Sequence, residues 1–155
     1  MANGIFRTKA PGVISSLMAR YGLTSFQAAG IVGNLGHECC GFTQLHEVNQ
    51  PAGLGGYGWG QWTGPRRASF FAWTKANGLD WTSDAANIGY LFHELDGPYN
   101  GTIERLKNTH SLKEATTVFE QLYEGAGVPA LDSRIVWARI AFSAYNIAKS
   151  SGRLA

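Results

Sequence analysis

Apolar residues recur at helical spacing along most of the chain, and this pattern is interrupted once, over residues 41–64. Ahead of the interruption, Pro11 suits the first turn of a helix that runs through residues 11–20. Gly22 follows directly and is placed to end that helix. The N-terminal part of the chain therefore begins, by prediction, with one helix and a glycine stop.

Helix signals continue on both sides of the interruption. Thr24 and Gln27 have the spacing of a capping box, which predicts a second helix that ends at Glu38. Five further helices are predicted at residues 65–77, 84–95, 102–108, 112–123 and 133–149. The last of these has a broad apolar face, which indicates a central buried helix.

The interrupted stretch is rich in glycine, and Tyr57, Trp59 and Trp62 alternate with its glycines. Dense glycine marks tight turns, and alternating aromatic residues are typical of short strands. We therefore predict a mainly α (α+β) fold in which a small β-hairpin lobe is inserted after the second helix. The length, 155 residues without an internal linker, predicts a single domain over residues 1–155.

Charge and cysteine content exclude several classes of function. The net charge of +2 comes from scattered basic residues, which is too weak to indicate nucleic-acid binding. Cys39 and Cys40 are adjacent and cannot form an ordinary disulfide with each other, so we expect reduced thiols. The four histidines do not have a zinc-site spacing, and we expect neither a metal nor another cofactor.

The chain also lacks the sequence features of export and membrane insertion. Residues 1–12 contain no apolar core of signal-peptide length, and no stretch has the ~18 apolar residues of a membrane span. We expect synthesis in the cytoplasm without a signal peptide, no stable membrane association, and a monomer.

Glu38 is the first candidate for chemistry. A carboxyl group at a helix C-terminus faces the negative end of the helix dipole, and its neighbours Leu35, Cys39 and Phe42 are apolar. Both effects favour the protonated form and raise the pKa. A carboxylic acid that stays protonated near neutral pH is what the cleavage of a glycosidic bond requires.

A second candidate region, Gly55–Thr63, follows in the glycine-rich stretch. Its glycines, Gly60 among them, let the backbone approach a ligand, and the rings of Tyr57, Trp59 and Trp62 offer flat faces to sugars. Gln61 and Thr63 are candidates to hold a sugar substituent or the attacking water. His46, just before this region, is a candidate to line the same cleft.

Two blocks of the sequence carry a family resemblance. Residues 37–42 (His-Glu-Cys-Cys-Gly-Phe), preceded by Ala-Gly-Ile-Val-Gly-Asn-Leu and followed by Gly-Tyr-Gly-Trp-Gly-Gln-Trp-Thr-Gly at 56–64, resemble the signature of phage tail lysozymes and related phage endolysins. The resemblance covers about residues 11–149. It implies a lysozyme-like fold, Glu38 as the catalytic acid, and bacterial peptidoglycan as the partner, cleaved between N-acetylmuramic acid and N-acetylglucosamine.

The resemblance also implies where such a protein acts. A cytoplasmic product would reach the cell wall after release through a pore, or from the virion. A looser similarity to goose-type lysozymes and lytic transglycosylases matches Gln61 to a glutamine that follows their glycine-rich strand. Related families often have serine after the glutamate, where this chain has Cys39.

The group that assists Glu38 is left open by the sequence. Glu47 is the only carboxylate between Glu38 and Asp80, so it is the first candidate for a base or an electrostatic partner. Alternatively, Gln61 and Thr63 hold the water, or the hydroxyl group of the sugar attacks, as in a lytic transglycosylase. Two other functions remain: a chitinase-like enzyme on the same fold, and a catalytically silent wall-binding virion protein.

Overall fold

The computed structural model describes residues 3–154, and helices dominate it; the first two residues and the last one of the predicted domain lie outside this range. The helices are α1 (Gly4–Tyr21), α2 (Ser25–Glu38), α3 (Gly64–Ala76), α4 (Asp84–Asp96), α5 (Gly101–Lys107), α6 (Leu112–Phe119) and α7 (Leu131–Ser150), with a π-helical turn at Glu120–Glu124 between the last two. Within the described residues, no helix is both long enough and apolar enough to cross a membrane.

Local sequence signals explain where α2 begins. The backbone N–H of Gln27 donates to Thr24 Oγ1 (3.4 Å), and the N–H of Thr24 donates to Gln27 Oε1 (3.0 Å). This confirms the predicted capping box, which satisfies two amide groups that the first helical turn leaves without partners. The predicted end of α2 at Glu38 is also confirmed.

The start of α1 differs from the prediction. The helix begins at Gly4, and Pro11 lies inside it rather than in its first turn. The added turns bury Phe6 and Ala10 in the core. This burial of apolar surface offsets the backbone hydrogen bond that a proline within a helix removes.

The central helix is α2, which packs most extensively against α7 and also contacts α6 and α1. Residues 27–36 of α2 are buried without interruption, because this segment consists mainly of small and aliphatic residues. The prediction that α7 is a central buried helix was wrong, because α7 is buried along only one face. One face of α7 packs inward, whereas Val136 and Ile147 on the same helix are exposed.

The predicted β-hairpin lobe is not present as such. The segment between α2 and α3 contains turns and two isolated antiparallel bridges, His46 with Tyr57 and Tyr57 with Trp62. Left-handed backbone at several positions, including Gly58 (φ 78°) and Gln61 (φ 48°), interrupts the extended conformation that a strand needs. We call this segment, residues 43–63, the aromatic loop.

Candidate active site

Glu38, the last residue of α2, combines burial with access to solvent. Its side chain is 18% exposed, and Arg134 Nη2 lies 3.4 Å from its Oε2. Burial raises the pKa of the Glu38 carboxyl group, and the positive charge of Arg134 offsets part of that increase. The result is a carboxylic acid whose pKa lies above its ordinary value and which still reaches the surface.

Arg134 is held in place from three directions. Its side chain is 1% exposed, and Nε donates to the carbonyl oxygen of Pro129 (2.6 Å). Nη1 donates to Asn34 Oδ1 (3.1 Å). Asn34 is itself fixed, because its amide donates to the carbonyl oxygens of Gly30 (2.8 Å) and Thr116 (3.1 Å). The core therefore positions the guanidinium group that faces Glu38.

Arg134 was not among the site residues predicted from the sequence, although a signal for it was present. Arg134 shares the buried face of α7 with Ala138, Ala141 and Tyr145, which follow it at helical spacing. A charged residue on the apolar face of a helix is rare unless it has a partner. That position could have identified it as the counterion of a buried carboxylate.

The π-helical turn carries a further carboxyl group with a raised pKa, that of Glu124. Glu124 is partly buried, and its Oε1 atom is buried without a hydrogen-bond partner among residues 3–154. Burial raises the pKa of Glu124 well above its ordinary value, and the charge of Glu38 raises it further. Sequence spacing offered no signal for Glu124, because the predicted helix at residues 112–123 ended one residue before it and no π-helical turn was expected.

The structure places the rings of the aromatic loop in the interior. Trp59 is 2% exposed, Trp62 is 1% exposed and Tyr57 is 7% exposed. A ring buried to this degree does not offer its face to a sugar, so the expected stacking role of these three residues is not supported. A Cβ atom on Gly60 would lie 2.5 Å from the Trp62 ring, so this glycine makes room for the indole.

Buried polar contacts fix the aromatic loop to the helices. The Trp59 backbone N–H donates to Asn87 Oδ1 (2.8 Å), and Trp62 Nε1 donates to the Tyr123 hydroxyl (3.1 Å). The Tyr123 hydroxyl in turn donates to the buried carboxylate of Glu94. Arg66 also binds Glu94, through Nη2 (2.8 Å) and Nε (3.0 Å). This network joins the loop and α3 to the π-helical turn.

The remaining polar candidates of the loop lie nearer the surface. Glu47 is exposed, and its Oε1 accepts a hydrogen bond from the Gly56 N–H (3.1 Å). The His46 ring is half-buried and stacks on Tyr57 with a centroid separation of 4.0 Å. Thr63 is exposed at the residue before α3.

Gln61 is partly occupied by contacts within the aromatic loop. Its Nε2 donates to the carbonyl oxygens of Gly58 (2.9 Å) and Gln44 (3.2 Å). These two hydrogen bonds hold the loop in shape and engage the Gln61 Nε2 group. Any contact of Gln61 with water or sugar would therefore be made by its amide oxygen.

The two cysteines that follow Glu38 are both free thiols. Cys39 is buried, and its Sγ donates to the carbonyl oxygen of Leu35 (3.1 Å). Burial raises the pKa of this thiol to about 12. A protonated, buried thiol is a packing group, so Cys39 helps to make the apolar surroundings of Glu38. Among residues 3–154, no group of three or more metal-binding side chains is placed to hold an ion.

Comparison with known proteins gives one family. The family model described as phage tail lysozyme matches residues 8–145, which include Glu38, the aromatic loop, Glu124 and Arg134. No curated protein matches the chain.

Proposed function

Because the chain belongs to the phage tail lysozyme family, we propose that it is a peptidoglycan-degrading glycoside hydrolase with Glu38 as its general acid. The bond cleaved in this proposal joins N-acetylmuramic acid to N-acetylglucosamine. The observation that carries the proposal is the position of Glu38, whose pKa burial raises while its carboxyl group still reaches solvent.

The surroundings of Glu38 suit both halves of the proposed step. The protonated carboxyl group donates its proton to the glycosidic oxygen as the bond from that oxygen to the anomeric carbon breaks. The leaving sugar departs as a neutral alcohol, and Glu38 becomes a carboxylate. Arg134, 3.4 Å away, stabilises that negative charge. The same guanidinium therefore supports the product of the proton transfer without preventing protonation at the start.

Glu47 is the proposed partner that activates water or stabilises the developing positive charge of the sugar. Glu47 is exposed, which leaves it accessible to a bound glycan. If Gln61 and Thr63 hold the water instead, the product is still a free reducing end. If the hydroxyl group of the sugar attacks, the product is an anhydro sugar and the protein is a lytic transglycosylase. Product chemistry separates these routes.

The test is turbidity loss and muropeptide mass on purified Gram-negative sacculi, with wild type, Glu38→Gln and a matched control, Glu104→Gln. Glu104 is an exposed glutamate on α5. We expect lysis and reducing-end muramic acid products with wild type and the control, and none with Glu38→Gln at equal folding by circular dichroism. Binding to sacculi without lysis by wild type would contradict the proposal and favour a silent wall-binding protein.

We also propose that the protein acts on the cell wall and that it is a monomer. A monomer suffices, because the residues proposed for the reaction come from one chain. Access to the wall would follow release through a pore or delivery with the virion.

A further inference from the structure

The Glu38 carboxyl group is held by few contacts of its own. Among residues 3–154, it makes one hydrogen bond, in which Arg134 Nη2 donates to its Oε2 over 3.4 Å. Arginine and carboxylate groups in a strong two-point pair lie about 2.7–2.9 Å apart, so this contact is long. Its Arg134 side is fixed by Pro129 and Asn34. The position of Glu38, at the end of α2, therefore decides how close the two groups lie.

A second hydrogen bond joins the same two helices one residue away. His37 Nδ1 lies 2.8 Å from Ser133 Oγ, which is a normal hydrogen-bond length. His37 precedes Glu38 at the end of α2, and Ser133 precedes Arg134 in the first turn of α7. Two consecutive residues of α2 thus contact two consecutive residues of α7. The bond between His37 and Ser133 ties the helix end that carries Glu38 to the helix that carries its counterion.

The first turn of α7 depends on this bond, because the residue before the helix supplies no cap. That residue is Ala130, whose backbone is left-handed (φ 50°) and whose side chain makes no capping hydrogen bond. The first turn of a helix has N–H groups without helical partners and tends to fray. Ser133 is half-buried in this turn, and its hydroxyl group binds α2. The hydrogen bond to His37 therefore holds a turn that its own helix leaves weakly fixed.

The His37 ring makes this bond without adding charge. Burial lowers the pKa of His37, and the positive charge of Arg134 lowers it further. The ring is therefore neutral near pH 7, and its bond to Ser133 joins two neutral groups. A cation at position 37 would add a positive charge next to Glu38 and favour the ionised form of the acid. A neutral histidine ties the helices together without opposing protonation of Glu38.

We propose that His37 and Ser133 are positioning residues for Glu38, and that their hydrogen bond sets the separation between the Glu38 carboxyl group and the Arg134 guanidinium. This inference rests on the proposed role of Glu38 as the general acid. Without the bond, the end of α2 moves relative to the fixed guanidinium, and the charge of Arg134 acts on the carboxylate from farther away. The proton transfer then loses part of the stabilisation of its product.

The experiment compares Ser133→Ala and Ser133→Thr with wild type and a matched control, Ser143→Ala. Ser143 is an exposed serine on the same helix. Reducing-end release from solubilised glycan strands of peptidoglycan gives kcat and KM for each protein. Ser133→Ala should lower kcat about tenfold or more with KM unchanged, because the lost bond orients the acid and does not bind the glycan. Ser133→Thr keeps the hydroxyl group and should recover most of the rate.

Carbon NMR titration of the Glu38 carboxyl group tests the same point without catalysis. The positive charge of Arg134 lowers the pKa of Glu38, so a greater separation should move the Glu38 titration in Ser133→Ala to higher pH. The other charges that act on Glu38 stay in place, namely those of Arg66, Glu120 and Glu124. An unchanged Glu38 titration in folded Ser133→Ala would overturn the proposal, and so would a raised KM at unchanged kcat.

Removal of the other partner checks that the two residues act through one bond. His37→Ala should lower kcat as Ser133→Ala does, and the double variant should lose no more activity than the weaker of the two single variants. Losses that add would show independent effects and contradict the proposal. Because the NMR titration needs no turnover, failure of wild type to release reducing ends, with the Glu38 titration shifted as expected, would refute the proposed function alone.

Discussion

The close packing of α2 against α7 can be tested by a single substitution, because Gly33 of α2 lies directly against Ala138 of α7. A Cβ atom on Gly33 would be 2.4 Å from Ala138 Cβ, 2.5 Å from its Cα and 2.6 Å from its backbone nitrogen. Carbon atoms in ordinary contact are about 3.5–4.0 Å apart. Gly33→Ala therefore forces the two helices apart by about 1 Å.

The magnitude follows from two opposing effects. Overpacking a core costs about 1–3 kcal/mol, and the upper end applies because two of the three clashing atoms are backbone and cannot rotate away. Alanine in a helix interior regains about 0.5–1 kcal/mol relative to glycine. We expect Gly33→Ala to lower the free energy of unfolding by about 2 kcal/mol.

The matched control is Gly12→Ala, in the exposed part of α1. Apart from its chain neighbours and its own helix, no atom of the described residues lies within 4 Å of a Cβ on Gly12. This substitution should raise the free energy of unfolding by about 0.5–1 kcal/mol. Urea denaturation of the two variants and wild type measures both changes. If Gly33→Ala were as stable as wild type or more stable, the close packing of α2 against α7 would be refuted.

Two further predictions concern the aromatic loop. Asn87→Ala removes the acceptor of the Trp59 N–H and the donor to the Trp81 carbonyl oxygen. It should therefore lower the free energy of unfolding by about 3 kcal/mol. A loss below about 1 kcal/mol in urea denaturation would contradict this anchoring role. Glu47→Gln keeps an oxygen that can accept from the Gly56 N–H, so the fold should be unchanged while sacculus lysis falls strongly; near-normal lysis would exclude Glu47 as the second catalytic group.

The helices of this chain were largely predictable from sequence, because their signals are local. The capping box at Thr24 and Gln27 and the stop after Glu38 depend only on neighbouring residues. The start of α1 was predicted too late, since the burial of Phe6 outweighs the usual preference of Pro11 for a first turn. Tertiary packing overrode a local signal there.

The structure of the aromatic loop, in contrast, could not be predicted from local sequence signals. Alternating aromatic residues are compatible both with strands and with a glycine-rich loop whose rings fill the core. What decides between them is the position of α4 and the π-helical turn, which supply Asn87 and Tyr123 as partners for Trp59 and Trp62. Such partners are distant in sequence, so the spacing of residues within the loop could not reveal them.

The residues of the candidate site also differ in how far the sequence could predict them. Glu38 was predictable, because the helix end and its apolar neighbours are contiguous in sequence. Arg134 lies 96 residues after Glu38 and contacts it only in the folded chain. Glu124, on the π-helical turn, is likewise distant from Glu38 in sequence. The charged residue on the buried face of α7 was a usable signal for Arg134, whereas the π-helical turn that places Glu124 left none.

The central claim is that Glu38 acts while it is protonated. Because burial raises the pKa of Glu38, the group holds its proton below the folded value and loses it as the pH rises. The direct measurement is the NMR titration of the Glu38 carboxyl carbon in wild type, compared with the rate of reducing-end release from sacculi at each pH. The account predicts that the alkaline loss of activity follows the titration of Glu38, and full activity where Glu38 is completely ionised would contradict it.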